Sequence, residues 1–300
     1  MPDPAGEASN SPAAFLPQFQ RLALITGAAV MEKLAGTRVI IFGLGGVGSW
    51  CAEALARSGI GSMALVDSDF VCITNINRQV QAAGGTIGQP KTAALKARLA
   101  EINPDCRITT HEKAFSRDTA DGFRIETYDF VIDAIDSLGP KLDLIELCDT
   151  LGKKLFSSMG MAQKLDPSLL RTADIWETAA CPLARLVRAG LRKRGFTGHF
   201  TVVYSRERLP LHTEISTGCG GAGCLCPPRN DPGGADGGAG NSRDWCASKK
   251  VINGSAVTVT AAAGMILASL VIRYFTEEAA AGSQARSLKG RQTDLSSRTG

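Results

Sequence analysis

The apolar residues follow two different periods along the first 160 positions of the chain. Short, β-branched apolar runs are typical of buried parallel strands. Such runs occur at Arg38–Phe42, Met63–Val66, Cys106–Thr110, Tyr128–Ile132 and Lys154–Ser158. Between them, apolar residues recur at helical spacing over Gly46–Arg57, Lys91–Ile102 and Pro140–Leu151. Strands that alternate with helices predict an α/β fold, a Rossmann-like, doubly wound and mostly parallel sheet.

This alternation fades after about residue 160, where a helix is predicted over Pro182–Arg194 and strands over Phe200–Tyr204 and Leu211–Ile215. We therefore expect a C-terminal α+β extension of the Rossmann-like domain. The predicted divisions are a flexible arm over 1–18, the Rossmann-like domain over 19–160, the extension over 161–282 with a glycine-rich insert at 218–240, and a disordered basic tail over 283–300.

One segment is apolar enough to raise the question of a membrane. Residues 256–272 carry no charge over seventeen positions, which is at the short limit for a transmembrane helix. Alanine, glycine, threonine and serine dilute its hydrophobicity. We expect a buried helix, or a strand followed by a helix, and membrane association is not expected.

Composition and charge exclude several classes of protein. Hydrophobic residues make up 44% of the chain and charged residues 21%, which is a normal globular balance. A net charge of +4 does not by itself indicate nucleic-acid binding. Nine cysteines in 300 residues are too dilute for a disulfide scaffold. The first sixteen residues lack the basic and apolar regions of an export signal, so a cytoplasmic location is expected.

A glycine-rich loop lies between the first strand and the helix that follows it. The motif GLGGVG fits G-x-G-x-x-G, in which Gly43 permits a tight turn, Gly45 lets the backbone approach a phosphate and Gly48 allows close helix–strand packing. Asp67 ends the next strand and is placed to accept hydrogen bonds from ribose hydroxyls. NAD, FAD and ATP all remain possible at this point, and the motif alone favours an oxidoreductase.

The residues after Asp67 favour a nucleoside triphosphate. Residues 67–79 read DSDFVCITNINRQ, and Lys91 opens a helix after GQP. Asp136 follows a predicted strand and should lie at the carboxyl edge of the sheet, where a magnesium ion prefers one or two carboxylates and phosphate oxygens. The candidate ATP-binding residues are Gly43, Gly45, Gly46, Gly48, Asp67, Asp69, Asn75, Arg78, Gln79 and Lys91.

Structural roles are the alternative for part of this set. Asp69 would then cap the segment that follows it, and Asn75 and Asn77 would be turn residues. Asp133 lies inside the end of a predicted strand, so we expect it to be structural.

These motifs resemble those of the E1-like adenylating enzymes of the ThiF, MoeB and HesA type. The resemblance rests on GLGGVGS, on DxDxxxxxNxNRQ, on GQPK and on DAIDS, and it covers about residues 27–158. It implies a reaction in which a carboxylate attacks the α-phosphate of ATP, giving an acyl-adenylate and pyrophosphate.

The resemblance also implies a role for each matching residue. Asp67 holds the ribose, Asn75 and Arg78 contact the phosphates, Lys91 stabilises charge at the α-phosphate and Asp136 binds Mg²⁺. Arg78, Lys91 and Asp136 are accordingly the candidate catalytic residues.

A narrower resemblance is to the tRNA threonylcarbamoyladenosine dehydratase branch of that superfamily. It rests on SWCAEALARSGIG, VCITNINRQ, INPDCR, FVIDAIDSLGPK and the segment LDPSLLRTADIWETAACPLARLVRAGLRKRG. It implies ATP-dependent cyclisation of N6-threonylcarbamoyladenosine at position 37 of ANN-decoding tRNAs. It also implies a homodimer and, as a further partner, a cysteine desulfurase system.

Two other functions remain open from the sequence. One is an adenylyltransferase that activates the C-terminal Gly-Gly of a ubiquitin-like sulfur-carrier protein. The other is a NAD-dependent oxidoreductase or a binding module without catalytic activity.

Three features depart from the E1-like pattern. The arginine that usually reaches the partner subunit is expected at Leu24, and Arg21 lies one turn earlier. The two CxxC pairs of zinc-binding members are absent, and the spacing of Cys219, Cys224 and Cys226 is poor for zinc, so no zinc is expected. Residues 157–161 read SSMGM where the family usually has glycines.

A basic segment offers a candidate tRNA contact. Five of the ten residues from 185 to 194 are basic and none is acidic. Such a run is usually a solvated face, and contact with tRNA phosphates is the competing interpretation. The residues concerned are Arg185, Arg188, Arg192, Lys193 and Arg194.

Overall fold

The protein folds around one seven-stranded sheet, seen in a computed structural model that describes residues 17–208 and 254–296. The strands are β1 (Arg38–Phe42), β2 (Ser62–Val66), β3 (Arg107–His111), β4 (Phe130–Asp133), β5 (Lys154–Ser158), β6 (Leu170–Asp174) and β7 (Thr201–Ser205). Their order is β3-β2-β1-β4-β5-β7-β6, and only the β6–β7 pairing is antiparallel. The predicted doubly wound α/β fold is confirmed.

Helices cover both faces of this sheet. The described helices are α1 (Gln20–Thr26), α2 (Ala28–Gly36), α3 (Gly48–Ala56), α4 (Lys91–Ile102), α5 (Leu138–Thr150), α6 (Pro182–Lys193) and α7 (Val257–Ser296). Two apolar clusters result, one on each side of the sheet. The strand β1 is central and buried on both faces, with Val39, Ile40, Ile41 and Phe42 inaccessible to solvent, which explains its uninterrupted apolar sequence.

The direction of strand addition reverses between β1 and β4. From β1 the chain adds β2 and then β3 on one side, whereas β4 and β5 lie on the other. Phe42 pairs with Val66 on one neighbour and with Asp133 on the other, so the three strands end at the same level. A crevice at the carboxyl edge of such a reversal is the usual ligand site of an open α/β sheet.

Several element boundaries differ from the predicted ones. The helix α3 begins at Gly48 rather than at residue 46 because the preceding residues form the glycine-rich loop. The strand β6 was not predicted, because Leu170–Asp174 has a largely exposed, polar sequence that is stabilised by its pairing with β7. The helix α4 and the strand β5 have the predicted bounds.

The apolar segment at 256–272 is part of α7, as one of the two expected alternatives stated. Among the described residues, Val257–Ala281 is the one stretch long and apolar enough to cross a membrane. Its residues Val259, Ala263, Leu267 and Val271 are fully buried against the sheet cluster, at the i, i+4 spacing of one helix face. Its apolar composition therefore has an explanation in core packing.

The helix α7 also passes through much of the predicted tail. It is helical as far as Ser296 and so includes residues 283–296 of the expected tail, whose disorder stays a prediction. Alanine, arginine, leucine, lysine and glutamine in that stretch favour a helix. The predicted strand at 211–215, the insert at 218–240 and nearly all of the N-terminal arm lie outside the described residues.

Candidate functional site

The glycine-rich loop has the conformation that its three spaced glycines predict. Gly43 has a positive φ of 87°, and a Cβ atom there would lie 2.7 Å from the Ala134 carbonyl oxygen. A Cβ at Gly48 would lie 1.9 Å from the Gly43 carbonyl oxygen. A Cβ at Gly45 would meet no atom within 4 Å, which leaves the backbone there open to a ligand. The loop is thus packed on β4 at one end and open in its middle.

Asp67 holds this loop against the end of β2. Its Oδ2 accepts a hydrogen bond of 2.6 Å from the Leu44 N–H, and its Oδ1 accepts one of 2.8 Å from the Asp69 N–H. The carboxylate is only 10% exposed. It is therefore an anchor of the loop, a structural role that the sequence analysis did not assign, and its contact with ribose stays a prediction.

Lys91 lies between two carboxylates at the start of α4. Its Nζ is 2.7 Å from Asp69 Oδ2 and 3.8 Å from Asp67 Oδ1, and its side chain is 7% exposed. Burial opposes the charged amine, but the two carboxylates outweigh it and raise the pKa of Lys91. Burial and the nearby Asp69 raise the pKa of Asp67, against the attraction of Lys91. Two carboxylates sharing one cation account for both directions.

The segment that contains Asn75 and Arg78 is a pair of tight turns. Asn75 is buried, and its Oδ1 accepts a hydrogen bond from the Cys72 N–H, as the turn interpretation expects. Asn77 donates to the Ser255 carbonyl oxygen and accepts from Arg78 Nη1. Gln79 is also buried and accepts a long hydrogen bond from Gln81. Because Asn75 and Gln79 are buried and hydrogen-bonded locally, their side chains are less accessible to a ligand than the sequence predicts.

Arg78 is partly buried beside the glycine-rich loop. Its Nη1 donates 2.8 Å to the Thr74 carbonyl oxygen, which uses part of a guanidinium that carries five N–H donors. A Cβ at Gly46 would lie 3.3 Å from Arg78 Cγ, so the arginine stem runs past the loop. Burial lowers the pKa of Arg78, and the neighbouring Cys72 and Asp136 partly offset this effect.

Asp136 lies in the crevice, on the short loop between β4 and α5, and is exposed. Ser137 Oγ donates a 3.4 Å hydrogen bond to it. Its negative charge acts on both Arg78 and Lys91 and favours the charged form of each. The three candidate catalytic residues therefore come from three separate segments and lie within electrostatic reach of one another.

Sequence reasoning missed the residues that fasten these segments together. The Trp50 indole N–H donates to the Arg78 carbonyl oxygen at 3.0 Å, and Gln81 Nε2 donates to the Leu44 carbonyl oxygen at 2.9 Å. Thr260 of α7 would contact a Cβ at Gly46 at 3.0 Å. None of these residues belongs to a motif of its own. Only their proximity in space reveals their role, since Gln81 lies 37 positions from Leu44 in the sequence.

The five basic residues of segment 185–194 have different surroundings along α6. The Arg192 guanidinium stacks over Trp176 at 5.2 Å, and Arg194 pairs with Asp143 and Glu146 at 2.8 Å each. Arg188 donates to Thr178 Oγ1. Arg185 and Lys193 are exposed. Three of the five candidate tRNA-binding residues thus have partners within the protein, and the five do not form one continuous free patch.

A second group of arginines lies at the carboxyl edge of the sheet. Arg206 follows the end of β7, and with Arg208 it borders a cavity of about 560 Å³. Ala179, Ala180 and Pro182, at the start of α6, complete the lining. Since β7 is parallel to β5, this cavity opens at the same edge of the sheet as the glycine-rich loop.

The N-terminal position predicted for a cross-subunit arginine lies on an exposed helix. Leu24 and Ile25 of α1 are 81% and 84% exposed, and Arg21 is exposed on the same helix. The helix therefore presents two adjacent apolar side chains to solvent.

The donors present fit a magnesium ion that is shared with phosphates, not one held by protein alone. Within residues 17–208 and 254–296, no group of three or more His, Cys, Asp and Glu residues is arranged to hold a metal. Asp136 offers one exposed carboxylate at the crevice, and one or two carboxylates with phosphate oxygens are a normal Mg²⁺ environment. Cys219, Cys224 and Cys226 lie outside these residues.

The sheet is doubly wound and has a glycine-rich loop after its first strand. An arginine, a lysine and an aspartate converge where the direction of strand addition reverses. Together these features define a nucleotide-binding α/β protein. The family model described as "ThiF family" matches residues 17–298, and the chain belongs to that family.

The names of individual relatives state a narrower function than the family description does. A tRNA threonylcarbamoyladenosine dehydratase of Bacillus subtilis (strain 168) is 44% identical over 192 residues, which are 64% of this chain and 76% of the relative. The crystal structure of the Escherichia coli tRNA N6-threonylcarbamoyladenosine dehydratase in complex with ATP is similar at a TM-score of 0.70 and 30% identity, and the match covers 88% of this chain and 95% of that one.

Another relative matches a shorter part of the chain. The adenylyltransferase and sulfurtransferase MOCS3 of Drosophila grimshawi is 38% identical over 134 residues, which are 45% of this chain and 29% of the fly protein.

Proposed function

We propose that this protein uses ATP to dehydrate N6-threonylcarbamoyladenosine at position 37 of tRNA to its cyclic form, through an acyl-adenylate. The observation that carries the proposal is the convergence of Arg78, Lys91 and Asp136 beside an open glycine-rich loop. The dehydratase relative, which this chain matches over 76% of its length, supports the choice of substrate.

The glycine-rich loop and Arg78 are assigned to the triphosphate. The backbone at Gly45 is open to a ligand, and α3 begins at Gly48, so the N-terminus of that helix would favour an anion bound at the loop. Arg78 keeps N–H donors beyond those bonded to Thr74 and Asn77 for the phosphate oxygens. Asp67 keeps the loop in place through Leu44 while its remaining lone pairs accept from the ribose.

Lys91 is assigned to the charge that develops at the α-phosphate. As the substrate carboxylate attacks the α-phosphorus, the phosphorus–oxygen bond to pyrophosphate breaks, and an acyl-adenylate and pyrophosphate result. Asp67 and Asp69 hold Lys91 charged and in place, so its stabilisation of this transition state needs little reorganisation. The adenylate is then displaced within the substrate itself, AMP leaves and the ring closes, so no protein nucleophile takes part.

Asp136 is the residue that would hold Mg²⁺. When bound, the ion would neutralise part of the phosphate charge and orient the pyrophosphate leaving group. The exposed position of Asp136 on its loop suits that role, since the remaining coordination comes from phosphate oxygens and water.

The tRNA is proposed to approach from the carboxyl edge of the sheet. Arg206 and Arg208 border the cavity there, and Arg185 lies in the first turn of α6. Arg192, Lys193 and Arg194 lie about 10–15 Å further along α6, toward the opposite edge. The arginines at the cavity are therefore better placed to contact phosphates beside the modified nucleotide than the last turn of α6.

The protein is further proposed to act as a homodimer. The adjacent side chains Leu24 and Ile25 on α1 are an apolar surface of the kind that an interface between subunits buries. A cysteine desulfurase partner stays a prediction of the resemblance.

A direct test uses purified protein, ATP, Mg²⁺ and tRNA that carries the linear modification. Nucleoside mass spectrometry is expected to show loss of one water from the modified adenosine, dependent on ATP. An unmodified tRNA is the control. Adenylation of a carrier protein with a C-terminal Gly-Gly, without any change in the tRNA nucleoside, would contradict the proposal in favour of the MOCS3-like activity.

A further inference from the structure

A fully buried ion pair lies directly beneath the loop that carries Asp136. Lys141 in the first turn of α5 and Asp133 at the end of β4 both have side chains that are completely inaccessible, and Lys141 Nζ is 2.6 Å from Asp133 Oδ2. The same amine donates to Ser157 Oγ at 3.3 Å and to the Ser158 carbonyl oxygen at 3.0 Å. Its three N–H donors therefore have three acceptors.

The Asp133 carboxylate is saturated in the same way. Ser157 Oγ donates to its Oδ2 at 2.6 Å, and the Ile135 N–H donates to its Oδ1 at 3.0 Å. The network has one positive and one negative charge and leaves no polar atom of either group without a hydrogen bond. It thus avoids the large penalty of an uncompensated buried charge.

Hydrogen bonds of this network hold both ends of the loop that carries Asp136. The loop consists of residues 134–137, between the end of β4 and the start of α5. At its first end, Asp133 holds the Ile135 N–H and Phe42 accepts from the Ala134 N–H. At its second end, the Lys141 N–H bonds to the Ser137 carbonyl oxygen, while the Lys141 side chain reaches back to Asp133. Both ends of the loop are therefore bonded to the Asp133–Lys141 ion pair.

The same loop touches the glycine-rich loop. The Ala134 carbonyl oxygen occupies the space that a side chain at Gly43 would need, at 2.7 Å from the Cβ position. The ion pair therefore fixes the distance between two elements that are both assigned to the nucleotide, the backbone of one and the Asp136 carboxylate of the other.

We propose that Lys141 and Asp133, with Ser157, are positioning residues for Asp136: they hold its loop in the geometry that binds the magnesium-bound triphosphate. This inference rests on the proposed role of Asp136. A buried ion pair adds little net stability compared with apolar residues of similar volume, so a precise backbone geometry is the contribution that such a network is suited to make. Residues that orient a metal ligand in this way typically change metal affinity by about 10- to 100-fold.

The test is calorimetric measurement of ATP affinity with and without Mg²⁺ on the intact chain, without tRNA. The variant Asp133→Asn/Lys141→Met removes both charges together. We expect it to lose at least about tenfold of the gain in ATP affinity that Mg²⁺ gives. Its affinity for ATP without Mg²⁺ is expected to stay within about threefold, because Arg78 and the middle of the glycine-rich loop are unchanged.

The matched control is another ion pair that contains a buried carboxylate. Glu53 of α3 has a side chain that is 4% exposed and pairs with Arg98 of α4 at 2.5 Å and with Arg57 at 2.7 Å. Glu53→Gln/Arg98→Met is expected to lower the unfolding temperature while keeping the full magnesium gain. If the control loses that gain to the same extent, the network is merely structural and the proposal is overturned.

Two further variants separate the possible failures. If Asp136→Ala keeps the full magnesium gain, the metal role of Asp136 is wrong and the positioning role with it. If Asp136→Ala loses the gain and the double variant keeps it, only the positioning role is overturned. Should the double variant not fold, Ser157→Ala leaves the ion pair intact and removes one hydrogen bond to Asp133. It is expected to lose about threefold of the gain, and no loss would contradict the proposal.

Discussion

At the scale of single residues, the most informative feature is that few side chains of the site are independent. Asp67 fixes the glycine-rich loop, Asp67 and Asp69 hold Lys91, and Asn77 holds Arg78. Asp136 is exposed in the crevice, where Ser137 Oγ donates to it and where its charge reaches both Arg78 and Lys91. Because Asp136 is exposed, a substitution there is expected to change the chemistry of the site with little effect on folding.

Asp136→Ala is expected to lower ATP–pyrophosphate exchange by roughly a hundredfold or more, because one preorganised group at the reacting phosphates typically contributes that much. The rate of exchange with labelled pyrophosphate measures this effect. Asp105→Ala, an exposed carboxylate in the turn between α4 and β3, is the control and should exchange at the normal rate. An Asp136→Ala protein with full exchange would remove the metal role.

The residue types of the site could be predicted from the sequence, but not their contacts. Glycines 43, 45 and 48 have conformations that follow from their spacing. The buried pairing of Lys91 with two carboxylates could not be foreseen, because Asp69 lies 22 positions earlier and only the crossover between β2 and α4 brings them together. Burial decides whether a polar residue can contact a ligand or instead supports the fold. It depends on tertiary packing, which local sequence patterns do not encode.

At the scale of elements, α7 is the part of the fold that departs most from expectation. Its apolar face covers the core, and its N-terminal end reaches the site, where Thr260 lies against Gly46 and where Ser255, just before the helix, accepts a hydrogen bond from Asn77. At Gly264 it packs on α3 so closely that a Cβ would lie 2.5 Å from the Val47 carbonyl oxygen. Six of the seven strands could be predicted because their apolar runs are short, whereas β6 and the packing partner of α7 could not.

Gly264→Ala is expected to destabilise the protein by about 1–3 kcal/mol, since the added methyl group meets backbone atoms that have little room to move. Its ATP affinity should fall as well, because α7 supports Gly46 and Asn77. Chemical unfolding and calorimetry measure the two effects. Gly36→Ala, where a Cβ meets no atom within 4 Å, is the control and should leave both quantities nearly unchanged. Equal stability of the two variants would show that α7 has room to shift.

At the scale of the whole molecule, the net charge of +4 conceals an uneven distribution. Arg194 and Arg117 are balanced by Asp143 and Glu146, whereas Arg206 and Arg208 border the open cavity at the carboxyl edge. The basic segment 185–194 therefore contributes fewer cations without a partner in the protein than its composition suggests.

Arg206→Glu/Arg208→Glu is expected to weaken tRNA binding and to reduce its dependence on salt by about two phosphate contacts, since each neutralised phosphate adds nearly one unit to the slope. Affinity measured across a salt series tests this. Arg192→Glu/Lys193→Glu, in the last turn of α6, is the matched charge reversal and should have a smaller effect. If Arg192→Glu/Lys193→Glu weakens binding more than Arg206→Glu/Arg208→Glu does, the tRNA contact lies on α6 instead.

Leu24→Glu/Ile25→Glu is expected to shift the protein from dimer to monomer, because the substitution places charges on the exposed apolar surface of α1. Light scattering after gel filtration gives the mass in solution. Ala28→Glu/Ala29→Glu on α2 has the same charge change at exposed small residues and should not alter the mass. A wild-type protein that is already monomeric would contradict the proposed dimer.

The position of α7 has a consequence for how the protein is made. The ribosome synthesises the glycine-rich loop more than 200 residues before Thr260 and Gly264, which pack against it and its helix. During that interval the nascent sheet exposes the apolar face that Val259, Ala263 and Leu267 later cover, and contacts so distant in sequence form late and slowly. A growing chain that has not yet made α7 therefore leaves this apolar face uncovered and lacks the contact of Thr260 with Gly46.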